Sequence, residues 1–249
     1  ERFHCFRCDA KGNSVSLYAK LKGISNKEAY TELKQGIKPE FTEKAVYVKE
    51  NDIPIRSLDE RHNVYYDFLN LLRLNRKHFD NLSERGLNYA EIRRFMYKSI
   101  PLDPVFRREV LEKLSKRHNL EGIPGFYRDS GGDIQMYIKN CGGMFIPVCN
   151  SEGYIQGLQM RLDLPEDSTE KKFRWFSSKH FECGTGAKSW VHVVGDTNQT
   201  EAWLTEGPMK ADVSSVLSNG KLFIAIPGVN AVRMLSDVLN ELNIRKVYE

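Results

Sequence analysis

Two cysteines near the amino end have a spacing that suits a metal ion. Cys5 and Cys8 are separated by two residues, and such a tight turn lets both sulfurs reach one tetrahedral zinc. A structural zinc has four ligands, and His4 fits a strand residue better than a ligand. The pair is therefore interpreted as half of a zinc site, with two further ligands expected upstream of Glu1. A reduced structural pair and a redox dithiol are the alternatives.

A glutamate near the carboxyl end occupies a position where open α/β sheets bind ligands. Residues 202–205 predict a buried strand, Pro208 suits the first residue of a helix, and Gly207 is expected to form a tight joint between them. Glu206 then lies at the carboxyl end of the strand, where such sheets place their ligands. A carboxylate there could bind magnesium together with substrate phosphates. The alternative is a glutamate that only stabilises the helix N-terminus.

The segments after this glutamate alternate between strand and helix patterns. Residues 222–226 predict a strand, residues 229–242 a helix, and residues 244–248 a third strand. Two successive βα units favour a parallel sheet with right-handed crossovers. The turn after the second strand contains Gly228 and Asn230, where open backbone could approach a nucleotide or DNA phosphate.

Three cations precede this region, in a part of the chain with alternating hydrophobicity. Strands are predicted there at residues 144–149, 154–162, 173–177 and 191–194. Arg161 ends the second of these strands, and Lys172 and Arg174 belong to the start of the third. Cations on rigid strands neutralise phosphates with little reorganisation. Exposed strand residues without a function are the alternative.

Composition indicates a folded protein whose charge is unevenly distributed. The chain has 249 residues, 41% of them hydrophobic and 28% charged, which is enough to bury a sizeable core. Residues 73–117 contain twelve Lys and Arg against six Asp and Glu, and residues 1–38 contain eight against four. Basic segments of this kind suit a protein that binds phosphate backbones. Solvated helix faces are the alternative.

The cysteines and the hydropathy of the chain predict the cellular compartment of the protein. Cys141, Cys149 and Cys183 are scattered without disulfide spacing, so a reduced, cytoplasmic location is expected. No apolar run approaches the ~18 residues of a membrane span.

The basic middle of the chain is expected to be helical. Further helices are predicted at residues 76–83, from residue 88, and at 105–118, while Ser25 with Glu28 and Asn88 with Glu91 have the spacing of capping boxes. Apolar residues that recur at three- and four-residue intervals would line one face of a preceding helix: Val64, Tyr65, Phe68, Leu69 and Leu72.

Several of these motifs resemble bacterial replicative primases. The segment His-Cys-Phe-Arg-Cys-x-Ala-x-Gly-Asn is similar to the closing half of that family's Cys-His-Cys-Cys zinc ribbon. Residues 145–161 resemble the primase-core pattern of a strand, a polar turn and a strand that ends on an arginine, and residues 172–177 resemble its lysine-aromatic strand. Glu206 and Gly207 match the first motif of the Toprim domain, which primases share with topoisomerases and some nucleases.

The chain also departs from the replicative pattern. Where replicative primases carry an acid, this sequence has Lys210, and Asp212 two residues later is expected to be a surface or packing residue. The variant Glu-Gly-Pro-Met-Lys-Ala-Asp is similar to primase-like proteins of phages and integrative elements. The Asp-x-Asp pair of the Toprim motif would follow the third strand, where the given sequence ends at Glu249, so a catalytically incomplete fragment is expected.

The resemblance implies a DNA primase, a nucleotidyltransferase that joins ribonucleoside triphosphates into short primers on a single-stranded DNA template. A replicative helicase is implied as a further partner, with no membrane. Implied cofactors are structural zinc at Cys5 and Cys8 and catalytic magnesium at Glu206, and the implied catalytic residues are Glu206, Arg161 and Lys172. The implied nucleic-acid or nucleotide-binding residues are Arg161, Lys172, Arg174, Gly207, Lys210, Gly228 and Asn230.

The expected fold class is α+β with an α/β Toprim portion on a parallel sheet, after part of a zinc ribbon. Residues 1–38 would be the carboxyl half of the zinc-ribbon domain with its helices, and 39–140 a linker and basic helical region. Residues 141–195 would be a mixed β subdomain of the primase core, and 196–249 the first part of the Toprim domain. A Toprim nuclease or topoisomerase, and a non-catalytic DNA-binding module derived from a primase, are the alternative functions.

We predict that residues 1–249 alone bind zinc weakly, because two thiolates supply only half of a tetrahedral shell. Elemental analysis after dialysis against a chelator should find little zinc, and a chain extended upstream should keep one ion. Stoichiometric, chelator-resistant zinc in residues 1–249 would contradict the half-site interpretation.

Overall fold

A computed structural model describes residues 2–4, 11–35, 53–139, 141–165, 168–228 and 231–249. They belong to two compact units, Glu1–Glu50 and Asn51–Glu249, and each unit is presented by itself. The finer, four-part division expected from the sequence stays a prediction.

The first unit begins with two short strands. β1 (Arg2–His4) pairs antiparallel with β2 (Lys11–Asn13). Cys5 and Cys8 lie between these strands in the sequence and outside the described residues, so the partial zinc ribbon stays a prediction.

Two helices complete the described part of the first unit. The predicted capping box of Ser25 and Glu28 is confirmed at the start of the second helix, where each side chain accepts a backbone N–H of the other residue. The helices are α1 (Ser14–Lys22) and α2 (Asn26–Lys34). Their small buried core consists of Tyr18, Ala19 and Ala29.

The second unit opens with the helices expected from the basic middle of the chain. The predicted capping box of Asn88 and Glu91 is confirmed, and so is the buried apolar face around Phe68. In chain order the helices are α3 (Leu58–Leu71), α4 (Arg76–Glu84), α5 (Tyr89–Arg94) and α6 (Pro104–Ser115).

Antiparallel strands follow and form two sheets. The larger sheet has the order β3-β6-β7-β8, and β4 pairs with β5 as a separate hairpin. The strands are β3 (Lys98–Ser99), β4 (Phe126–Arg128), β5 (Ile134–Met136), β6 (Gly143–Cys149), β7 (Ile155–Leu162) and β8 (Phe173–Trp175).

The carboxyl part of the second unit forms a mixed sheet of order β12-β10-β11-β9. β10 pairs in parallel with β11 and β12, as two successive βα units require, whereas β9 pairs antiparallel with β11. The expectation of a parallel sheet therefore holds for three strands of one sheet only. The elements are β9 (His192–Val194), β10 (Glu201–Thr205), α7 (Pro208–Leu217), β11 (Phe223–Ala225), α8 (Val232–Glu241) and β12 (Lys246–Tyr248).

The two faces of the β6–β7 pair are buried against different elements. Side chains alternate between the faces of a strand, so Phe145 joins the core around α3, while its neighbours Met144 and Ile146 join a second core. The second core also contains Leu82 from α4 and Met209 from α7. The antiparallel sheet is therefore the layer that connects the helical region to α7.

Aromatic rings fill the centre of the first core. Phe68 lies 5.3 Å from Phe126 and 5.4 Å from Phe145 in edge-to-face contacts, and its ring stacks on Phe176 at 5.8 Å. All four side chains are buried. Such aromatic contacts add about 0.5–1.5 kcal/mol per pair to the burial of apolar area.

In the part of the chain that the model describes, no helix is both long and apolar enough to cross a bilayer.

A glycine beside the aromatic core gives the first test of this packing. Gly125 has φ +95°, and a Cβ there would lie 2.2 Å from the Phe176 ring, whereas Gly132 has φ +84° and open space around it. Gly132→Ala should therefore cost only the left-handed conformation, about 1–2 kcal/mol. Gly125→Ala should add about 1–3 kcal/mol of overpacking. Urea unfolding of both variants measures the difference, and equal losses would contradict the packing.

Candidate active site

The candidate site lies where two parallel strands end side by side. Glu206 directly follows β10, and the backbone N–H of Ile226, just after β11, donates to the carbonyl oxygen of Thr205 at 2.8 Å. The turn that contains Gly228 is therefore adjacent to the junction between β10 and α7. The arrangement agrees with the position predicted for Glu206 at the carboxyl edge of the strands.

The Glu206 side chain is exposed and has a cation as its partner. Its carboxylate forms an ion pair with Lys210, one turn along α7, and the two side chains are 78% and 61% exposed. The hydrogen bond from Lys210, followed by the charge of Lys210, lowers the pKa of Glu206. Glu206 is therefore an accessible, ionised carboxylate at neutral pH. An exposed pair of this kind contributes little stability.

The two glycines at this edge differ in what they require. Gly207 has φ −151° and ψ 144°, which any residue adopts, and a Cβ there would meet nothing within 4 Å. The predicted tight joint is present, since only Glu206 and Gly207 separate β10 from α7, but its conformation does not require glycine. Gly228 has φ +104°, a conformation that favours glycine. Space is open at both positions, and Asn230 lies outside the described residues.

The side chains at this edge do not form a complete magnesium site. Glu206 offers a carboxylate, the ligand type that magnesium prefers, but its partner is the ammonium group of Lys210. Within the described ranges no group of three or more His, Cys, Asp or Glu side chains could hold a metal. These residues alone do not fit a magnesium site, so no step below depends on a metal.

Arg161 lies on the face of the larger sheet that packs toward α7. It is opposite Met144 in the pairing of β7 with β6, and Met144 belongs to the core shared with α7. Burial lowers the pKa of Arg161, and the charge of Arg85 lowers it further, whereas the charge of Asp163 raises it. Arg85 is thus a second cation close to Arg161. Arg85 was not predicted as a phosphate-binding residue, although its position just after α4 in the basic segment 73–117 was a signal for that role.

The other two strand cations are not on the same surface as Arg161. Arg174 is opposite Met160 in the pairing of β8 with β7, so it lies on the other face of the sheet. It forms an ion pair with Glu170 at 3.2 Å, and Lys172 is exposed just before β8. The structure does not bring the predicted phosphate-binding cations together on one face.

A buried polar network fixes α7 against the larger sheet. The Tyr97 hydroxyl donates to Oδ2 of Asp212, and Nε2 of His192 lies 3.0 Å from Oδ1. Because the Cys149 N–H donates to Nδ1 of His192 at 2.9 Å, the ring proton is on Nε2 and is donated to Asp212. Asp212 is only 1% exposed, so it is not a surface residue. Burial, followed by the charge of Asp212, raises the pKa of Tyr97 well above its ordinary value.

Ser99, His78 and Asp163 form a second hydrogen-bond network. Its order resembles a nucleophilic triad, but its serine is buried. His78 places Nδ1 at 2.6 Å from Oγ of Ser99 and Nε2 at 3.0 Å from Oδ2 of Asp163. Ser99 is only 5% exposed and also accepts the N–H of Asn75. A nucleophile must be reachable by its substrate. This hydrogen-bond network therefore links α4, β3 and the end of β7, and it is not a site of reaction.

Comparison with known proteins shows the fold. No family model matches the chain, and a search of curated proteins found no match. Among solved structures, the Aquifex aeolicus primase (zinc-binding and RNA polymerase domains) is similar with a TM-score of 0.54 and 18% identity, over 99% of this chain and 59% of that one.

A second solved structure leads to the same result. The RNA polymerase domain of Mycobacterium tuberculosis primase DnaG, in complex with double-stranded DNA that has a 6-nucleotide overhang, has a TM-score of 0.55 and 16% identity. The match covers 78% of this chain and 64% of that one. The chain thus spans about six-tenths of the length of these primase chains. It has a mixed α+β, primase-like fold.

The ion pair at the site predicts a shift in titration. Lys210→Gln should raise the pKa of Glu206 toward its ordinary value, because the charged donor that lowers it is replaced by a neutral amide. In the unchanged protein the ion pair is fully formed above the ordinary pKa of a glutamate. It is lost as the pH falls through the lowered pKa of Glu206. Carbon NMR of the carboxyl groups measures the midpoint. Lys246→Gln is the matched control, and equal midpoints in the two variants would contradict the pairing.

The buried network predicts a loss of stability. Asp212→Asn keeps the shape but leaves one of the two donors, Tyr97 or His192, without an acceptor, at a cost of about 1–3 kcal/mol. Asp237→Asn on α8, at an exposed position, should change the free energy of unfolding by less than about 0.5 kcal/mol. Urea denaturation compares the variants, and equal effects would show that the network does not hold α7.

Proposed function

We propose that this chain is part of a primase-like nucleotidyltransferase that makes short RNA primers on single-stranded DNA. One observation carries the proposal. An accessible carboxylate, Glu206, stands at the carboxyl edge of two adjacent parallel strands, between open backbone at Gly207 and Gly228. Open α/β sheets bind phosphorylated ligands at such edges, and the fold is that of primase RNA polymerase domains.

In this proposal the junction after β10 binds the incoming ribonucleoside triphosphate. The N-terminus of α7 has no side-chain cap and no acidic residue in its first turn, so its N–H groups are suited to an anion. Lys210 adds a positive charge there, and open space at Gly207 lets a phosphate approach the backbone. The carboxylate of Glu206 would repel the triphosphate itself, and it is positioned to accept a hydrogen bond from the hydroxyl group of the primer end.

The single-stranded template would follow the cations on the α7 side of the larger sheet. Arg161 and Arg85 lie close together there, and arginine binds phosphate oxygens in a bidentate manner. The DNA in the M. tuberculosis complex supports the choice of a nucleic-acid partner. Lys172 and Arg174 have a weaker case, because Arg174 is on the other face and paired with Glu170.

The finer parts of the proposal rest on the sequence. The order β10, α7, β11, α8, β12 with Glu206 after the first strand supports a Toprim domain. Zinc at Cys5 and Cys8, a replicative helicase partner and an origin in a phage or mobile element are proposed on the same basis. Magnesium at Glu206 is proposed only together with further ligands, because the described residues alone do not fit it.

A second candidate function is a DNA-binding module that derives from a primase and lacks catalysis. The ion pair between Lys210 and Glu206 favours it, because a cation at that position competes with any metal for the carboxylate. If the unchanged protein binds single-stranded DNA but makes no primers, this alternative is favoured.

The test is Glu206→Gln in the full-length protein. Primer synthesis should fall by about a hundredfold or more, since a charge directed at the reacting groups is removed without a change of shape. Affinity for single-stranded DNA should stay nearly unchanged, because it depends on cations elsewhere and should decrease steeply with salt.

The matched control is Glu152→Gln, an exposed glutamate in the turn between β6 and β7. It should keep both activities. Primer synthesis that survives in Glu206→Gln at the rate of the control would contradict the proposed role of this carboxylate.

A further inference from the structure

A large cleft lies in the second unit, away from the Glu206 junction. Its volume is about 850 Å³, and it lies between α6 and the hairpin of β4 and β5. Its lining comes from residues 104–115, 127–138 and Phe181, so it shares no residue with the site described above. Pockets of this size accommodate small molecules and cofactors.

The cleft brings together guanidinium groups without paired carboxylates. Arg107 and Arg108 line it from α6, and Arg128 lines it from β4. Within the described part of the chain, neither arginine of α6 forms an ion pair. Arg128 donates to the carbonyl oxygen of Gly132 at 2.9 Å, which holds its side chain at the turn of the hairpin. Available guanidinium groups on two facing elements suit an anionic group between them.

Aromatic rings line the same cleft. Tyr127 and Phe181 stack with ring centroids 3.8 Å apart, and Tyr137 lies 5.6 Å from Phe181. All three are half-buried, so part of each ring reaches the surface. Burial and the charge of Asp129 raise the pKa of Tyr127, while Arg107 lowers it. The cations and the aromatic rings are therefore close enough to act on one ligand.

We propose that this cleft binds a nucleotide unit, with its phosphate on the arginines and its base on the aromatic rings. Arginine recognises phosphate through paired hydrogen bonds, and a base stacks on an aromatic ring irrespective of its sequence. Glu112 and Asp133 also line the cleft; they can accept from amino and hydroxyl groups of a nucleotide, and they disfavour a bare polyphosphate. The choice of a nucleotide among aromatic phosphates rests on the proposed function.

The test compares two double variants of α6 in the full-length protein. Arg107→Gln with Arg108→Gln should weaken binding of a short deoxythymidine oligomer by about tenfold or more at low salt. Lys113→Gln with Lys116→Gln removes the same charge from exposed positions near the end of the helix, and should weaken binding by less than about threefold. Equal losses in the two variants would overturn the proposal.

Cross-linking locates the bound base independently of affinity. An oligomer with 5-iodouracil should cross-link to Tyr127 or Tyr137 in the unchanged protein, and mass spectrometry maps the site. Cross-links confined to other parts of the chain would overturn the proposal.

The source of the nucleotide is distinguished by two further ligands. ATP that does not compete with the oligomer for the cross-link at the hairpin supports a strand of nucleic acid as the ligand of the cleft. ATP that competes for this cross-link supports a free nucleotide. Inorganic tripolyphosphate that suppresses this cross-link at the same concentration as ATP would overturn the proposal, since the base would then contribute nothing.

Failure of this inference differs from failure of the proposed function. Glu206→Gln should leave the cross-link at the hairpin unchanged, because the cleft shares no residue with the Glu206 junction. Loss of primer synthesis with an intact cross-link therefore concerns Glu206 alone. A missing cross-link with normal primer synthesis rejects the cleft alone.

Discussion

The buried carboxylate of Asp212 is the constraint on which the candidate site depends. A charged group without water costs several kcal/mol unless donors surround it, and here the donors come from two separate elements, Tyr97 before β3 and His192 on β9. Both hydrogen bonds require one position of α7. Since Glu206 lies only two residues before the first residue of that helix, the network also fixes the carboxylate at the edge of the sheet. A buried residue thus determines where substrate could bind.

Local signals explain which parts of the fold could be predicted. The capping boxes at Ser25 and Asn88 and the apolar face around Phe68 are encoded within a few residues, and the βα alternation after Glu206 implied parallel neighbours. The antiparallel pairing of β9 with β11 could not be predicted, because no local pattern specifies the direction of β9 or the edge of the sheet that it joins. The four-part division of the chain into functional domains stays a prediction.

The site was predicted less completely than the fold. The position of Glu206 after a strand followed from its neighbours, but the burial of Asp212 depends on Tyr97, more than a hundred residues earlier. The joint at Gly207 was predicted from its residue type, and only its dihedral angles show that any residue could form it. Arg161 and Arg174 looked equivalent in sequence. The register of β7 with β6 and β8 separates them onto opposite faces.

The central claim is template-directed synthesis of RNA, and the sequence of the products tests it most directly. The unchanged full-length protein would be given single-stranded DNA templates of defined sequence and all four ribonucleoside triphosphates, and the products would be sequenced. The account predicts short RNA chains that are complementary to each template and absent without it. No products, or products whose sequence is independent of the template, would contradict it.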